Sequence, residues 1–134
     1  MLIHSEADMI AFGRNFAANL SAPAVIELIG DVGTGKTTFT RGLAEGLGIT
    51  EPISSPSFTI SRFYEGEKHT LTHYDFYRLD DPGLMADDLA ESISEPNNIT
   101  VVEWGESIAD ILPTEHYRIT ISYVDENTRE VEIA

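Results

Sequence analysis

One short glycine-rich segment constrains the fold of this chain more than any other feature. Residues 30–37 read Gly-Asp-Val-Gly-Thr-Gly-Lys-Thr and match the Walker A pattern Gly-x-x-x-x-Gly-Lys-Ser/Thr. With 10 glycines in 134 residues, the composition predicts about 0.002 chance matches to this pattern. A loop of this kind cradles phosphate where a strand leads into it and a helix leads out. The flanking residues must therefore supply a strand and a helix.

The segments on either side of the loop have these two patterns. Residues 24–29 form a short, mostly apolar run that is typical of a buried strand. Residues 36–47 place three apolar side chains on one helical face, and Gly48 stands where a helix stop is expected. Strand, loop and helix are consecutive, which predicts a P-loop nucleoside-triphosphatase-like fold of the α/β class.

The rest of the chain alternates between helical and extended patterns. Ser5 caps a helix whose apolar residues recur at helical spacing from Met9 onward. The later predicted elements are a hairpin with strands at 58–64 and 69–77, a helix opened by Asp81 and Pro82, a strand at 99–102, and an antiparallel pair at 116–123 and 129–133, placed at a sheet edge. Together they predict one domain over residues 1–134, with a mixed parallel and antiparallel sheet flanked by helices.

Charge and composition limit the classes of function. The net charge of −15 repels nucleic acid and anionic membranes, so we expect no direct nucleic-acid binding by this chain alone. There is no cysteine, which excludes disulfides and cysteine-bound metals. The first residues carry no targeting signal and no apolar run is long enough to cross a bilayer, so we expect a cytoplasmic location. The same negative charge repels phosphate, so a nucleotide site must concentrate positive potential locally.

The Walker A residues can supply that potential. Glycines let consecutive backbone N–H groups turn toward phosphate oxygens, and the following helix adds its positive N-terminal end. We expect Lys36 to reach the β- and γ-phosphates as a point charge that packs little, and the Thr37 hydroxyl to bind Mg²⁺. The alternative, a solvated Lys36 on an ordinary glycine turn, suits a lone Gly-x-Gly better than this complete motif.

A P-loop site also needs a carboxylate to hold or order its metal. Glu103 ends an apolar run, and Asp75 follows the strand-like residues 70–74. We assign the metal to Glu103, because the end of a buried strand is rigid, and hydrolysis to Asp75, which we place in a longer segment over residues 73–79. Taken singly, each acid is more often a solvated or capping group, and Trp104 is more often a core residue.

Three further segments, taken with the Walker A motif, give the chain a family resemblance. They are Ser54-Ser55-Pro56-Ser57-Phe58, His73-Tyr74-Asp75-Phe76-Tyr77-Arg78-Leu79 and Val102-Glu103-Trp104. In order and spacing the four segments resemble the TsaE (YjeE) family nearly end to end. The resemblance implies an ATPase that uses ATP and Mg²⁺ and works with TsaD and TsaB. Those proteins place a threonylcarbamoyl group on the adenosine beside the anticodon of certain tRNAs.

Residue roles are carried over from this resemblance by position. It implies Thr37 and Glu103 at magnesium, residues 33–38 around the phosphates, and Asp75 in hydrolysis. We assign Lys36 as the second catalytic residue, on the β- and γ-phosphates. The predicted nucleotide-contacting set is Gly33, Thr34, Gly35, Lys36, Thr37, Thr38, Ser57, Trp104, Arg129 and Glu6. Within this set, Ser57 lies in a segment that resembles a switch I loop, and Glu6 matches a position on the adenine side.

Three other functions compete with this interpretation. A small-molecule kinase would use the same loop, but it commonly needs a lid with arginines, and no basic cluster follows Asp75. A GTPase would need an Asn-Lys-x-Asp segment, which is absent because the only lysines are Lys36 and Lys68. A nucleotide-gated binding module without required hydrolysis stays open on sequence grounds.

Overall fold

Apolar and β-branched runs form the strands, and amphipathic segments form the helices between them. A computed structural model describes residues 1–31, 33–53, 61–76, 83–104 and 108–134. The strands are β1 (Leu2–Ile3), β2 (Ala24–Ile29), β3 (Ser61–Glu65), β4 (Thr70–Asp75), β5 (Asn98–Glu103), β6 (Tyr117–Tyr123) and β7 (Arg129–Ile133). The helices are α1 (Glu6–Ala18), α2 (Lys36–Gly46) and α3 (Leu84–Ser94).

Within the described residues the strands form one sheet of seven, in the order β1-β7-β6-β2-β5-β4-β3. Strand β2 runs parallel to both β5 and β6, and β5 runs parallel to β4. The outer pairs β3–β4, β6–β7 and β1–β7 are antiparallel. The predicted single α/β domain with a mixed sheet is therefore confirmed. Because β2, β4 and β5 are parallel, the segments that follow them emerge at the same edge of the sheet.

Helices cover both faces of the sheet. Helices α1 and α2 pack over one face, where Ile26, Val101 and Phe39 belong to the larger buried cluster. Helix α3 packs over the other face, where Tyr74 and Val102 belong to a second cluster. Adjacent residues of β5 thus point into different clusters, as the alternation of a strand requires.

Close approach of α1 and α2 depends on small residues at their contact. A Cβ atom at Gly42 would overlap the backbone of Ile10, and one at Gly13 would overlap the carbonyl oxygen of Phe39. Glycine at these positions lets the two helix backbones lie against each other. The N-terminus of α2, and with it the Walker A lysine, is thereby fixed against α1.

One predicted placement is wrong, and another prediction falls outside the described residues. The C-terminal pair is antiparallel as predicted, but its placement at a sheet edge is wrong, because β1 pairs with β7 on the outside. There the Val131 amide donates to the Met1 carbonyl at 2.8 Å, which satisfies a group that an edge strand would leave unpaired. Helix α3 begins at Leu84 behind Gly83, whereas the predicted opening at Asp81 and Pro82 lies outside the described residues.

Among the described residues, no helix is both long enough and apolar enough to cross a bilayer, and α1 has 13 residues.

Candidate functional site

The Walker A backbone adopts conformations that favour glycine. Gly33 and Gly35 have φ values of +83° and +111°, in the left-handed region that side chains disfavour. At Gly30 a Cβ atom would come within 2.6 Å of the Ile121 carbonyl oxygen, so the loop lies directly against β6. Thr34 closes the loop internally, because its hydroxyl donates to the Asp31 carbonyl at 2.8 Å.

Helix α2 presents its N-terminus to this loop. Its N-cap is Gly35, which supplies no side-chain hydrogen bond to the first turn. The first amide groups of a helix have no partner within the helix and carry the positive end of its dipole. Thr37 and Thr38 lie half-buried in this first turn. The end of α2 is therefore suited to accept the oxygens of a phosphate group.

Lys36 lies inside the site. Its side chain is 7% exposed, and its Nζ donates to the Gly30 carbonyl at 2.6 Å. The same atom lies 3.6 Å from Glu103 Oε1 and 4.2 Å from the centre of the Trp104 ring. The expectation that this lysine packs little is wrong, because it fills the space between the loop, β5 and the indole ring. A buried ammonium group here gives the loop a concentrated positive charge.

Glu103 and Asp75 are neighbours at the edge of the sheet. They are paired in the register of β5 and β4, and both are the last residues of their strands. Both are buried, at 4% and 7% exposure. Residues 77–79 of the segment in which we place Asp75 lie outside the described residues; within the described part Asp75 ends a buried strand, as Glu103 does. The two acids differ in their distance from the phosphate loop. Strand β5 adjoins β2, which leads into the loop, whereas β4 lies one strand further out.

The second oxygen of Glu103 is held by a histidine. Nε2 of His73 lies 2.5 Å from Glu103 Oε2, and the histidine side chain is fully buried. Glu103 is thus contacted on one oxygen by Lys36 and on the other by His73. Both contacts come from side chains that are themselves nearly inaccessible to water, which fixes the carboxylate in one orientation.

Arg129 connects the C-terminal hairpin to the phosphate loop. Its Nε donates to the Thr34 carbonyl at 3.1 Å, and its Nη1 donates to the carbonyls of Asp125 and Thr128 at 2.7 and 3.0 Å. Its guanidinium also lies 4.9 Å from the centre of the Tyr123 ring.

The turn that carries these carbonyls is itself held by a hydrogen bond. The backbone N–H of Asn127 donates to the Asp125 carboxyl, which lowers the pKa of that carboxyl below its usual range. The turn therefore positions Arg129, and Arg129 positions Thr34.

A cavity of about 420 Å³ opens beside the loop. It brings together the segment before α1, the glycines of the loop and the turn between β6 and β7. Of the predicted contact residues it collects Glu6, Gly33, Thr34, Gly35, Thr38 and Arg129. A second cavity of about 560 Å³ shares Thr34 with the first and contains Trp104, Gly30 and Asp31. Ser57 lies outside the described residues.

The carboxylate and hydroxyl groups near the loop fit a magnesium ion that is held together with a nucleotide. Among the described residues, no three His, Asp or Glu side chains form a cluster that would bind a metal without other ligands. Magnesium characteristically keeps waters and takes one or two carboxylates together with substrate phosphates. The buried carboxylate of Glu103 and the hydroxyl of Thr37 are ligands of this kind.

Comparison with known proteins places the chain in a family. A family model described as "Threonylcarbamoyl adenosine biosynthesis protein TsaE" matches residues 3–131. The chain belongs to the TsaE family. The members of this family are named for the biosynthesis of threonylcarbamoyladenosine in tRNA.

Individual TsaE relatives are similar over most of their length. The protein named TsaE of Bacillus subtilis is 41% identical over 122 residues, which cover 90% of this chain and 75% of the relative. That of a Nostoc species is 39% identical over 136 residues, covering 99% and 83%. A crystal structure of Bacillus subtilis YdiB superposes with a TM-score of 0.82 at 34% identity, covering 98% of this chain and 80% of that one.

Two parts of this TsaE-family site were missed by sequence reasoning. The sequence presents His73 only as a member of the segment over residues 73–79. Strand β4 reads Thr-Leu-Thr-His-Tyr-Asp, and this mixture of polar and apolar residues does not indicate that the histidine is buried. The turn residues Glu126 and Asn127 line the smaller cavity. No local pattern indicates that this turn lies beside a loop some 90 residues earlier in the chain.

Proposed function

We propose that this protein binds ATP with Mg²⁺ and is a weak ATPase that supports the complex forming threonylcarbamoyladenosine in tRNA. The observation that carries the proposal is the position of Lys36 Nζ, buried at the N-terminus of α2 and 3.6 Å from Glu103 Oε1. A lysine and a carboxylate in this relation, below a glycine loop, are the parts a P-loop ATPase needs. Membership in the TsaE family supplies the pathway.

The phosphates, the metal and the nucleoside would each be bound by different residues, which the fold already brings together. The amides of Gly33 to Thr38 would receive the phosphates, with Lys36 turned from the Gly30 carbonyl to the β- and γ-phosphates. Thr37 and Glu103 would hold the metal, which when bound neutralises phosphate charge. The cavity that contains Glu6 and Arg129 has room for a nucleoside beside the loop, and Trp104 lines the second cavity, which shares Thr34 with the first.

Hydrolysis would depend on Asp75. Its place beside Glu103, one strand further from the loop, suits a group that orients the attacking water without taking the metal. The water would add to the γ-phosphorus as the bond to the leaving ADP breaks, releasing phosphate. Lys36 would remain on the phosphates and balance the charge that accumulates on them.

Two features support activity that depends on partner proteins. Arg129 contacts the loop, but it already donates to three backbone carbonyls and is committed to positioning. A cation supplied by another protein is a common way to complete a P-loop site. The net charge of −15 also opposes tRNA binding by this chain alone, so the tRNA would be held by partners, which we propose are TsaD and TsaB in the cytoplasm.

A reconstitution would test the proposal. Purified TsaD and TsaB, tRNA and this protein are combined, and ATP hydrolysis and tRNA modification are measured together. We expect hydrolysis to rise in the presence of partners, and repeated rounds of modification to require it. A non-hydrolysable ATP analogue should allow about one round for each complex. Repeated rounds with the analogue would show instead that nucleotide only gates assembly, and phosphate transfer to a small molecule would favour a kinase.

A further inference from the structure

A fully buried histidine contacts the carboxylate at the centre of the site. His73 lies in β4 with an exposure of 0%, and its Nε2 is 2.5 Å from Oε2 of Glu103. The other ring nitrogen, Nδ1, has no hydrogen-bond partner among the described residues. Burial of an unsatisfied polar atom costs free energy, which an apolar residue in the same strand would avoid. The hydrogen bond through Nε2 is therefore the contact that accounts for a histidine at this position.

The direction of this hydrogen bond follows from its chemistry. An ionised carboxylate only accepts hydrogen bonds, so Nε2 must carry the proton and donate it to Oε2. Glu103 remains paired with Lys36 through Oε1 at 3.6 Å. With Oε2 held from the side of β4, the carboxylate cannot rotate about its last bond, and Oε1 stays directed toward the phosphate loop.

The backbone places His73 correctly for this task. His73 pairs with Val101, and Asp75 pairs with Glu103, in the parallel register of β4 and β5. The Glu103 carbonyl accepts a hydrogen bond from the Phe76 amide at 3.0 Å, which fixes its main chain. Residues two apart in a strand share a face, so His73 and Asp75 stand side by side on the face that carries Glu103. The main chain thus locates Glu103, and His73 orients its side chain.

We propose that His73 is a positioning residue that orients Glu103 for magnesium; this inference rests on the proposed function. It acts through Glu103 and does not touch nucleotide or metal itself. Residues that orient a metal ligand through a hydrogen bond typically contribute a factor of about 10–100 to metal affinity. The effect should therefore appear in the magnesium dependence of nucleotide binding and not in binding without the metal.

The test compares two substitutions by titration calorimetry with ADP, at a series of Mg²⁺ concentrations and in EDTA. His73→Phe keeps a ring but removes the donor, and His73→Gln keeps a donor near the position of Nε2. We expect His73→Phe to raise the Mg²⁺ concentration needed for half-maximal tightening by about tenfold, with affinity in EDTA unchanged. His73→Gln should restore most of the loss. His69→Phe is the matched control, because His69 bonds Asn97 at the other end of β4.

The outcomes separate this inference from the proposed function. A wild-type protein whose nucleotide affinity is the same in Mg²⁺ and EDTA would overturn both. If nucleotide binding depends on Mg²⁺ in the wild type and to the same degree in His73→Phe, the role of His73 alone is overturned. Equal losses of magnesium affinity in His73→Phe and His73→Gln would overturn that role too. If His73→Phe does not fold, nitrogen NMR of ¹⁵N-histidine-labelled wild type decides. Protonation at Nε2 with a signal that moves in Glu103→Gln supports the inference, and an unprotonated Nε2 overturns it.

Discussion

The Nε atom of Arg129 donates to the carbonyl oxygen of Thr34 at 3.1 Å, across 95 residues of sequence. This one hydrogen bond joins the C-terminal hairpin to the phosphate loop. Since Thr34 lies between Gly33 and Gly35, whose backbones are in the left-handed region, the bond holds the part of the loop that depends on glycine for its conformation. The shape of the loop therefore depends on a strand at the other end of the chain.

Substitution of Arg129 should weaken nucleotide binding. We expect Arg129→Gln to lower the affinity for ATP about tenfold, because one charge-assisted hydrogen bond to the loop is worth roughly 1.4 kcal/mol in this setting. Calorimetric titration measures the change. Arg62→Gln, which removes the same charge from the exposed strand β3, should bind as wild type. Equal losses in both variants would show that only net charge matters.

Removal of the buried lysine should abolish nucleotide binding and also cost stability. In Lys36→Ala the buried Glu103 loses its cationic partner, so we expect unfolding free energy to fall by about 1–3 kcal/mol. Lys36→Met keeps the aliphatic stem and its contact with Trp104, so it should be less destabilised yet bind equally poorly. Calorimetry and thermal unfolding measure the two effects. Wild-type ATP affinity in either folded variant would remove the Walker A assignment.

Trp104 should report the arrival of nucleotide. It is the only tryptophan, and Lys36 Nζ lies 4.2 Å from the centre of its ring. A lysine that turns to phosphate leaves the indole face, so we expect the fluorescence to change on adding Mg-ATP or ADP. The change should be absent in Lys36→Met. Constant fluorescence at saturating nucleotide would mean that Lys36 keeps its position over Trp104 in the complex.

The two neighbouring acids should differ in their effects. We expect Asp75→Asn to retain Mg-ATP binding but to lose partner-stimulated hydrolysis by about 100-fold or more, because a residue that orients the reacting water acts only in the chemical step. Glu103→Gln should weaken the magnesium dependence of binding itself. Equilibrium titration and steady-state hydrolysis with TsaD and TsaB measure these quantities.

Both acids are buried, so the folding of each variant must be checked by thermal unfolding. Wild-type hydrolysis by Asp75→Asn in the presence of partners would exclude its catalytic role. Loss of magnesium-dependent binding in Asp75→Asn, with Glu103→Gln unaffected, would reverse the two assignments.

The sequence alone determined those parts of the molecule that are local. Strand β2, the Walker A loop and helix α2 are consecutive, and their apolar periodicity, glycines and terminal Gly48 specify them within about 25 residues. Strand β5 and the hairpin β3–β4 were predictable for the same reason. Alternation along a strand also indicates which residues share a face, but it contains no information about which strand lies next to it.

Only the tertiary structure decided the contacts that complete the site. The order β2-β5-β4 placed Glu103 beside the loop and Asp75 one strand further out, and it set His73 against the Glu103 carboxylate. The outer strand β1 and the bond from Arg129 to Thr34 join segments far apart in sequence. Such contacts form because burial and backbone pairing favour one global arrangement over many with similar local patterns, a choice made by the free energy of the whole chain.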